Sequence, residues 1–79
     1  RAVTFYLHTP LAATAAAQRG EIRGSVFTLS VAAPWAETGV SEPCGVNWNY
    51  TPIHRLAFRS RAARTHRLVT VLELTRRQA

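Results

Sequence analysis

Residues 9–20, TPLAATAAAQRG, decide the predicted fold class, because they form the one segment of the chain that indicates a helix. The segment opens on Thr-Pro, which is typical of an N-cap followed by proline at the first helical position. Its middle is rich in alanine, the residue with the highest helix propensity. Arginine suits the last turn of a helix, and Gly20 can terminate it. We therefore predict a short helix over Pro10 to Arg19.

Four segments on either side of this helix have the composition of β-strands. They are Ala2 to His8, Ser25 to Ala33, Ile53 to Arg61 and Arg67 to Thr75. In the first three segments apolar and polar residues alternate, which is typical of half-buried strands. The fourth segment is apolar on both faces, which predicts a central strand of the sheet.

The segment from Trp35 to Pro52 is rich in proline, glycine and asparagine, and we predict a long loop there. The order of elements is then strand, helix, strand, loop, strand, strand. The sequence thus predicts an α+β fold in which a single sheet of about four strands carries one short helix on one face. We interpret the helix as a right-handed crossover between two parallel strands.

The last two predicted strands are expected to form a C-terminal β-hairpin around a loop at residues 62–65. A four-residue loop pairs Phe58 with Val69, Leu56 with Val71, and His54 with Glu73. This register keeps the apolar side chains of both strands on one face, whereas a shift by one residue would separate them. The opposite face carries Arg55, Arg59 and Arg61, so the hairpin is predicted to be basic on one side.

The chain has 79 residues, which is the size of a single small domain spanning residues 1–79 with a thin hydrophobic core. Small domains are commonly stabilised by disulfides, metals or partners. Cys44 is the only cysteine, and the three histidines are too scattered for a standard ligand pair. We therefore expect no internal disulfide, no metal and no cofactor, and we expect a binding partner to supply further stability.

The charge of the chain is strongly unbalanced. Ten basic side chains stand against four acidic ones, and all ten are arginine. A net charge of +6 is typical of a protein that binds nucleic acid. Base composition is an alternative explanation for the missing lysine, because a GC-rich genome favours arginine and alanine. It does not explain the excess of basic over acidic residues.

Seven of the arginines fall in the last third of the chain, and we predict that they contact phosphate. They are Arg55, Arg59, Arg61, Arg64, Arg67, Arg76 and Arg77. The planar guanidinium offers a fork of donors that matches phosphate or carboxylate. A solvated basic surface and pairing with an acidic protein are the alternatives. Trp48 and Tyr50 are predicted to stack on RNA bases, with burial in the core or against a partner as the alternative.

The sequence predicts a small, basic, non-enzymatic subunit of a larger assembly, whose partners are RNA, neighbouring protein subunits or both. A ribosomal or organellar ribonucleoprotein component fits the size and the charge. One alternative is a small ribonuclease in which Glu73 is the general base, His54 is the general acid and arginines stabilise the phosphorane. A structural ion pair explains the same His54–Glu73 pairing. Another alternative is an accessory protein-interaction subunit of a complex without RNA.

No apolar run is long enough to span a membrane, and no motif indicates a small-molecule substrate. The sequence begins with Arg1 rather than methionine, which we interpret as a processed chain or a fragment. We expect an intracellular or organellar location, with removal of an N-terminal presequence. Residues 2–17 also have features of a retained signal peptide, but the start of a helix explains the same residues better.

Overall fold

The computed structural model describes residues 1–76, and every regular element in this range is a β-strand. The strands are β1 (Thr4–Thr9), β2 (Ala12–Ala16), β3 (Arg19–Arg23), β4 (Phe27–Ala32), β5 (Ala36–Val46), β6 (Pro52–Ser60) and β7 (Val71–Arg76). They form two antiparallel sheets: sheet A has the order β1-β6-β5, and sheet B has the order β2-β3-β4-β7. The predicted α+β fold, with one helix on a single sheet of four strands, is therefore wrong.

The segment predicted as a helix forms β2 and the first residue of β3. Ala13 and Ala15 are half-buried against the core, whereas the residues between and beside them are exposed. Ala17 has a φ of 52° and reverses the chain together with Gln18. The carbonyl of Gln18 accepts a hydrogen bond from the nitrogen of Ala33 at 2.8 Å. Alanine lets the two sheets approach closely, and these tertiary contacts override its local helix propensity.

The segment predicted as a long loop contains the longest strand of the structure, β5, which pairs with β6. Register shifts occur between Ala36 and Thr38 and between Pro43 and Val46. Pro43, Gly45 and the asparagines therefore mark the second irregularity and the β5–β6 turn, not a long loop. Proline is tolerated here because β5 is an edge strand of sheet A.

The predicted C-terminal hairpin is also wrong. β6 lies between β1 and β5 in sheet A, whereas β7 pairs with β4 in sheet B. The alternation assigned to β6 is present, since Leu56 and Phe58 are fully buried. Any antiparallel neighbour satisfies that alternation, so the pattern alone did not select the partner strand. β7 is an edge strand and not a central one, and all its side chains are exposed.

The hydrophobic core lies between the two sheets and contains few side chains. Phe58, Leu56 and Val31 are its largest fully buried members, and Ile22 packs beside them. Fully burying a side chain of this kind contributes about 1.5–3 kcal/mol relative to leaving it exposed. The edges of the two sheets are joined where the hydroxyl of Ser41 in β5 donates to a carbonyl oxygen of β2 at 2.8 Å. The stability of the fold therefore depends strongly on β6.

Gly39 in β5 is expected to tolerate no larger side chain. A Cβ at this position would lie 2.8 Å from Cε1 of Phe58 and closer still to the carbonyl oxygen of Ala17. Because one of these obstacles is backbone, Gly39→Ala should destabilise the protein by about 1–3 kcal/mol in urea denaturation. Thr38→Ala, at an exposed neighbouring position, is the control and should change stability by less than about 0.5 kcal/mol. Equal midpoints for the two variants would contradict this packing.

Candidate nucleic-acid interface

Exposed arginines lie together near one end of sheet A. Arg59 is close to the end of β6 and points away from the core, since the residues on either side of it are buried. Arg61, Arg64 and Arg67 follow in residues 61–70, the irregular connector that joins β6 to β7. All four side chains are exposed to solvent. The end of β6 and the connector therefore carry four exposed positive charges within nine residues.

Backbone hydrogen bonds hold Arg1 against this connector. The backbone nitrogen of Arg1 donates to the oxygen of Ala63 at 3.0 Å, and the nitrogen of Ala63 donates to the oxygen of Arg1 at 3.2 Å. Next along the chain, the nitrogen of Val3 donates to Oγ of Ser60 at 2.9 Å, and the nitrogen of Ser60 donates to the oxygen of Val3 at 2.8 Å. The Arg1 oxygen also contacts Nε2 of His66 at 2.5 Å. These bonds place Arg1 beside the arginines at the end of β6 and in the connector. The set is here called the basic end, and its members are Arg1, Arg59, Arg61, Arg64 and Arg67.

The basic end is not neutralised by carboxylates within residues 1–76. The ion pairs in this range join Arg23 to Glu21 at 3.2 Å and Arg55 to Glu42 at 2.7 Å, both away from the connector. Glu37 lines the same surface depression as Arg61 but forms no ion pair with it. The guanidinium groups of the basic end therefore keep their donors available for an anionic partner.

The outer face of sheet A continues from the basic end with aromatic and charged side chains. Arg55 lies over the ring of Tyr6, with Cζ 4.7 Å from the ring centroid, and the ring of His8 lies 6.2 Å from that of Tyr6. Nε of Arg55 donates to Oε1 of Glu42 at 2.7 Å. This hydrogen bond raises the pKa of the Arg55 guanidinium above its ordinary value, against a smaller opposing effect of burial. The arrangement fixes one cation and one aromatic ring on a flat, solvent-facing sheet surface.

Trp48 and Tyr50 lie in the turn between β5 and β6 and are 90% and 84% exposed. Oδ1 of Asn47 accepts hydrogen bonds from the nitrogens of Asn49 and Thr51 at 3.0 and 2.9 Å, which fixes the turn. The length of β6 separates this turn from the basic end by about 26 Å at the usual rise of a strand. The two predicted stacking residues are thus exposed, but they are remote from most of the predicted phosphate contacts.

Three of the seven predicted phosphate contacts fall outside the basic end, and one of them, Arg55, is paired with Glu42. Arg76 is exposed at the end of β7 away from the connector. Arg77 lies outside the residues that the structure describes.

The register that placed His54 opposite Glu73 is wrong. His54 lies in sheet A opposite Thr9 and Pro43, whereas Glu73 lies in sheet B opposite Ser30. The structure therefore does not bring together the acid and base of the predicted ribonuclease site. Nδ1 of His54 is buried and has no hydrogen-bond partner within the described range.

Residues 1–76 contain no group of three or more histidine, cysteine, aspartate or glutamate residues arranged to hold a metal ion. In the same range no helix is both long and apolar enough to cross a membrane.

No family model matches the sequence, and no curated protein or solved structure is significantly similar to it.

The sequence prediction omitted three residues of this surface: Arg1, Tyr6 and His8. The alternation of the first strand placed Tyr6 and His8 on the polar face, and this pattern could have identified them as exposed aromatic residues. Nothing in the sequence indicates that Arg1 meets the connector, because that contact joins residues at opposite ends of the chain.

Proposed function

We propose that the protein binds single-stranded RNA through the basic end and the outer face of sheet A, as a non-enzymatic subunit of a larger assembly. The observation that carries this proposal is the absence of carboxylate partners for the five exposed arginines of the basic end within the described residues. Arginine offers planar donor geometry for phosphate oxygens. Backbone hydrogen bonds place Arg1 beside the connector, which adds a further cation to this surface.

The aromatic side chains support RNA in single-stranded form. Proteins that bind single strands combine a positively charged path for the backbone with aromatic rings on which bases stack. One face of the Tyr6 ring is covered by Arg55, and its exposed remainder lies on the same surface as Arg59. Trp48 and Tyr50 offer further rings at the far end of β6. A strand that reaches both ends of β6 would need to be several nucleotides long.

The direct test is fluorescence anisotropy of a labelled single-stranded RNA of about 12 nucleotides, a length within the usual site size. We expect saturable binding at about 100 mM salt that weakens as salt increases. The labelled RNA should remain intact on a denaturing gel after incubation. Absence of binding at this salt concentration would overturn the proposal and favour an acidic protein surface as the partner. Cleavage of the RNA would overturn the non-enzymatic part.

Glu42→Gln is expected to increase RNA affinity, because the substitution removes a negative charge from the outer face of sheet A and frees Arg55. The increase should be about two- to fivefold, the scale of one exposed charge interaction. Stability should change by about 1 kcal/mol or less, since the two side chains of the ion pair are still 33% and 39% exposed. Glu21→Gln makes the same change in net charge on sheet B and serves as the matched control. An equal increase for both variants would show that net charge alone, and not this face, determines affinity.

A further inference from the structure

β7 presents an unpaired and apolar edge to solvent. It is hydrogen-bonded to β4 alone within the described residues, so its second edge has no strand beside it there. Proteins usually protect such an edge with charged side chains (above all lysine), proline or a bulge, because it can template pairing with another chain. The sequence of β7, VLELTR, contains neither lysine nor proline, and its register with β4 is uninterrupted. The charged residues of β7 are Glu73 and Arg76, and the remainder of the edge has no proline or bulge to prevent pairing.

The side chains of β7 also indicate that something covers this strand. Leu72 lies opposite Val31, which is buried, and Leu74 lies opposite Leu29, which packs against the core. The two leucines thus face the core side of sheet B, yet they are 52% and 68% exposed. The opposite face of β7 carries Val71, Glu73 and Thr75, so the exposed apolar surface of the strand is concentrated on the core side of sheet B. Within the described residues nothing covers this part of the strand edge.

We infer that β7 pairs antiparallel with β7 of a second copy of this chain, which joins two copies of sheet B into one continuous sheet. A two-fold axis perpendicular to the sheet relates the strands, so the contact closes on itself and forms a dimer and not a fibre. Side chains opposite each other must then come from the same face of the two strands. The two-fold axis must therefore pass through a residue of β7. An axis between two residues would pair side chains that point to opposite faces of the sheet, and such registers are excluded.

Of the two registers with the greatest overlap of β7 with itself, charge selects one. A pairing centred on Glu73 would place two carboxylates directly opposite each other, which is destabilising. A pairing centred on Leu74 places the two Leu74 side chains opposite each other and sets Leu72 against the aliphatic stem of Arg76. Glu73 then lies opposite Thr75. β7 is therefore self-complementary in the register centred on Leu74, and this property favours a second copy over an unrelated strand.

One strand pair buries less surface than a permanent dimer, so the association should be weak and concentration-dependent. Sedimentation equilibrium of the full chain should show a mass that rises with concentration toward twice that of the monomer. Leu74→Lys and Leu74→Glu should each remain monomeric, because each puts like charges opposite each other at the dimer axis. Val26→Lys, at a 61% exposed position outside the strand, is the matched control and should still dimerise.

An equimolar mixture of Leu74→Lys and Leu74→Glu should restore the dimer, because the two charges then attract across the axis. Far-ultraviolet circular dichroism must show that both variants keep the β-sheet spectrum of the parent chain. If either variant unfolds, Thr75→Lys and Thr75→Glu replace them, because Thr75 lies opposite Glu73 of the second copy. The lysine variant should then strengthen the dimer, and the glutamate variant should abolish it. A parent chain that stays monomeric at all concentrations, or a mixture that does not associate, would overturn the inference.

Discussion

Phe58→Ala is expected to leave most of the protein unfolded at physiological temperature. Phe58 is fully buried between the sheets. Its ring packs close to Gly20 of β3 in sheet B and to Gly39 of β5 in sheet A. Truncation of a buried phenylalanine costs about 3–5 kcal/mol. A domain of this size commonly has a total stability of about 3–5 kcal/mol, so the two quantities nearly cancel. Urea denaturation followed by circular dichroism should show that the folded baseline of the parent chain is lost.

Trp48→Ala is the matched control for this variant. It removes a still larger aromatic side chain, but from a position that is 90% exposed. Its stability should therefore remain within about 0.5 kcal/mol of the parent chain. If Phe58→Ala unfolded at the same urea concentration as Trp48→Ala, β6 would not be the centre of the core.

The second large effect expected is a steep dependence of RNA affinity on salt. If each of the five arginines of the basic end neutralises one phosphate, the slope of log affinity against log salt should be about −3.5 for a single strand. Affinity should then fall about 100-fold between 50 and 200 mM salt. A variant in which Arg61, Arg64 and Arg67 are replaced by glutamine should have a slope of about −1.4.

The measurement is a titration of labelled RNA at several salt concentrations, with the variant and the parent chain in parallel. The ratio of their affinities should decrease as salt increases, because the parent chain loses more of its electrostatic contribution. A slope for the parent chain that is close to zero would mean that arginine–phosphate contacts contribute little. The same slope for both proteins would place those contacts elsewhere on the molecule.

Strands were predictable from the sequence wherever large side chains alternate. The segments assigned to β1, β4 and β6 contain such alternation, with leucine and phenylalanine on the buried face. Residues 9–20 alternate only between alanine and small polar side chains, so local helix propensity gave the wrong prediction. Their strand conformation depends on pairing with β3 and on the hydrogen bond from Ser41 of β5 to Ala13, which is distant in sequence. Short-range propensity contains no information about such partners.

The candidate site was predictable in composition but not in arrangement. The exposure of the Arg59 side chain follows from the alternation along β6. The partner strands of β6 and β7 do not follow from it, because an alternating strand fits any antiparallel neighbour. This ambiguity produced the false pairing of His54 with Glu73. That the arginines of the basic end form no ion pair within residues 1–76 could not be predicted, since it depends on where the four glutamates lie in the fold.

The most direct test of the proposed RNA surface compares two triple variants that carry the same net charge. One replaces Arg61, Arg64 and Arg67 of the connector with glutamine. The other replaces the three arginines of sheet B, which are Arg19, Arg23 and Arg76. Both lower the net charge of +6 by three. The quantity to measure is the affinity for single-stranded RNA at about 100 mM salt.

We predict that the connector variant loses affinity by at least about tenfold, because the three arginines proposed to contact phosphate are removed. The sheet B variant should lose no more than about threefold through the general decrease in charge. Circular dichroism should confirm that both variants remain folded. Equal losses in the two variants, or a larger loss in the sheet B variant, would contradict a localised RNA surface at the basic end.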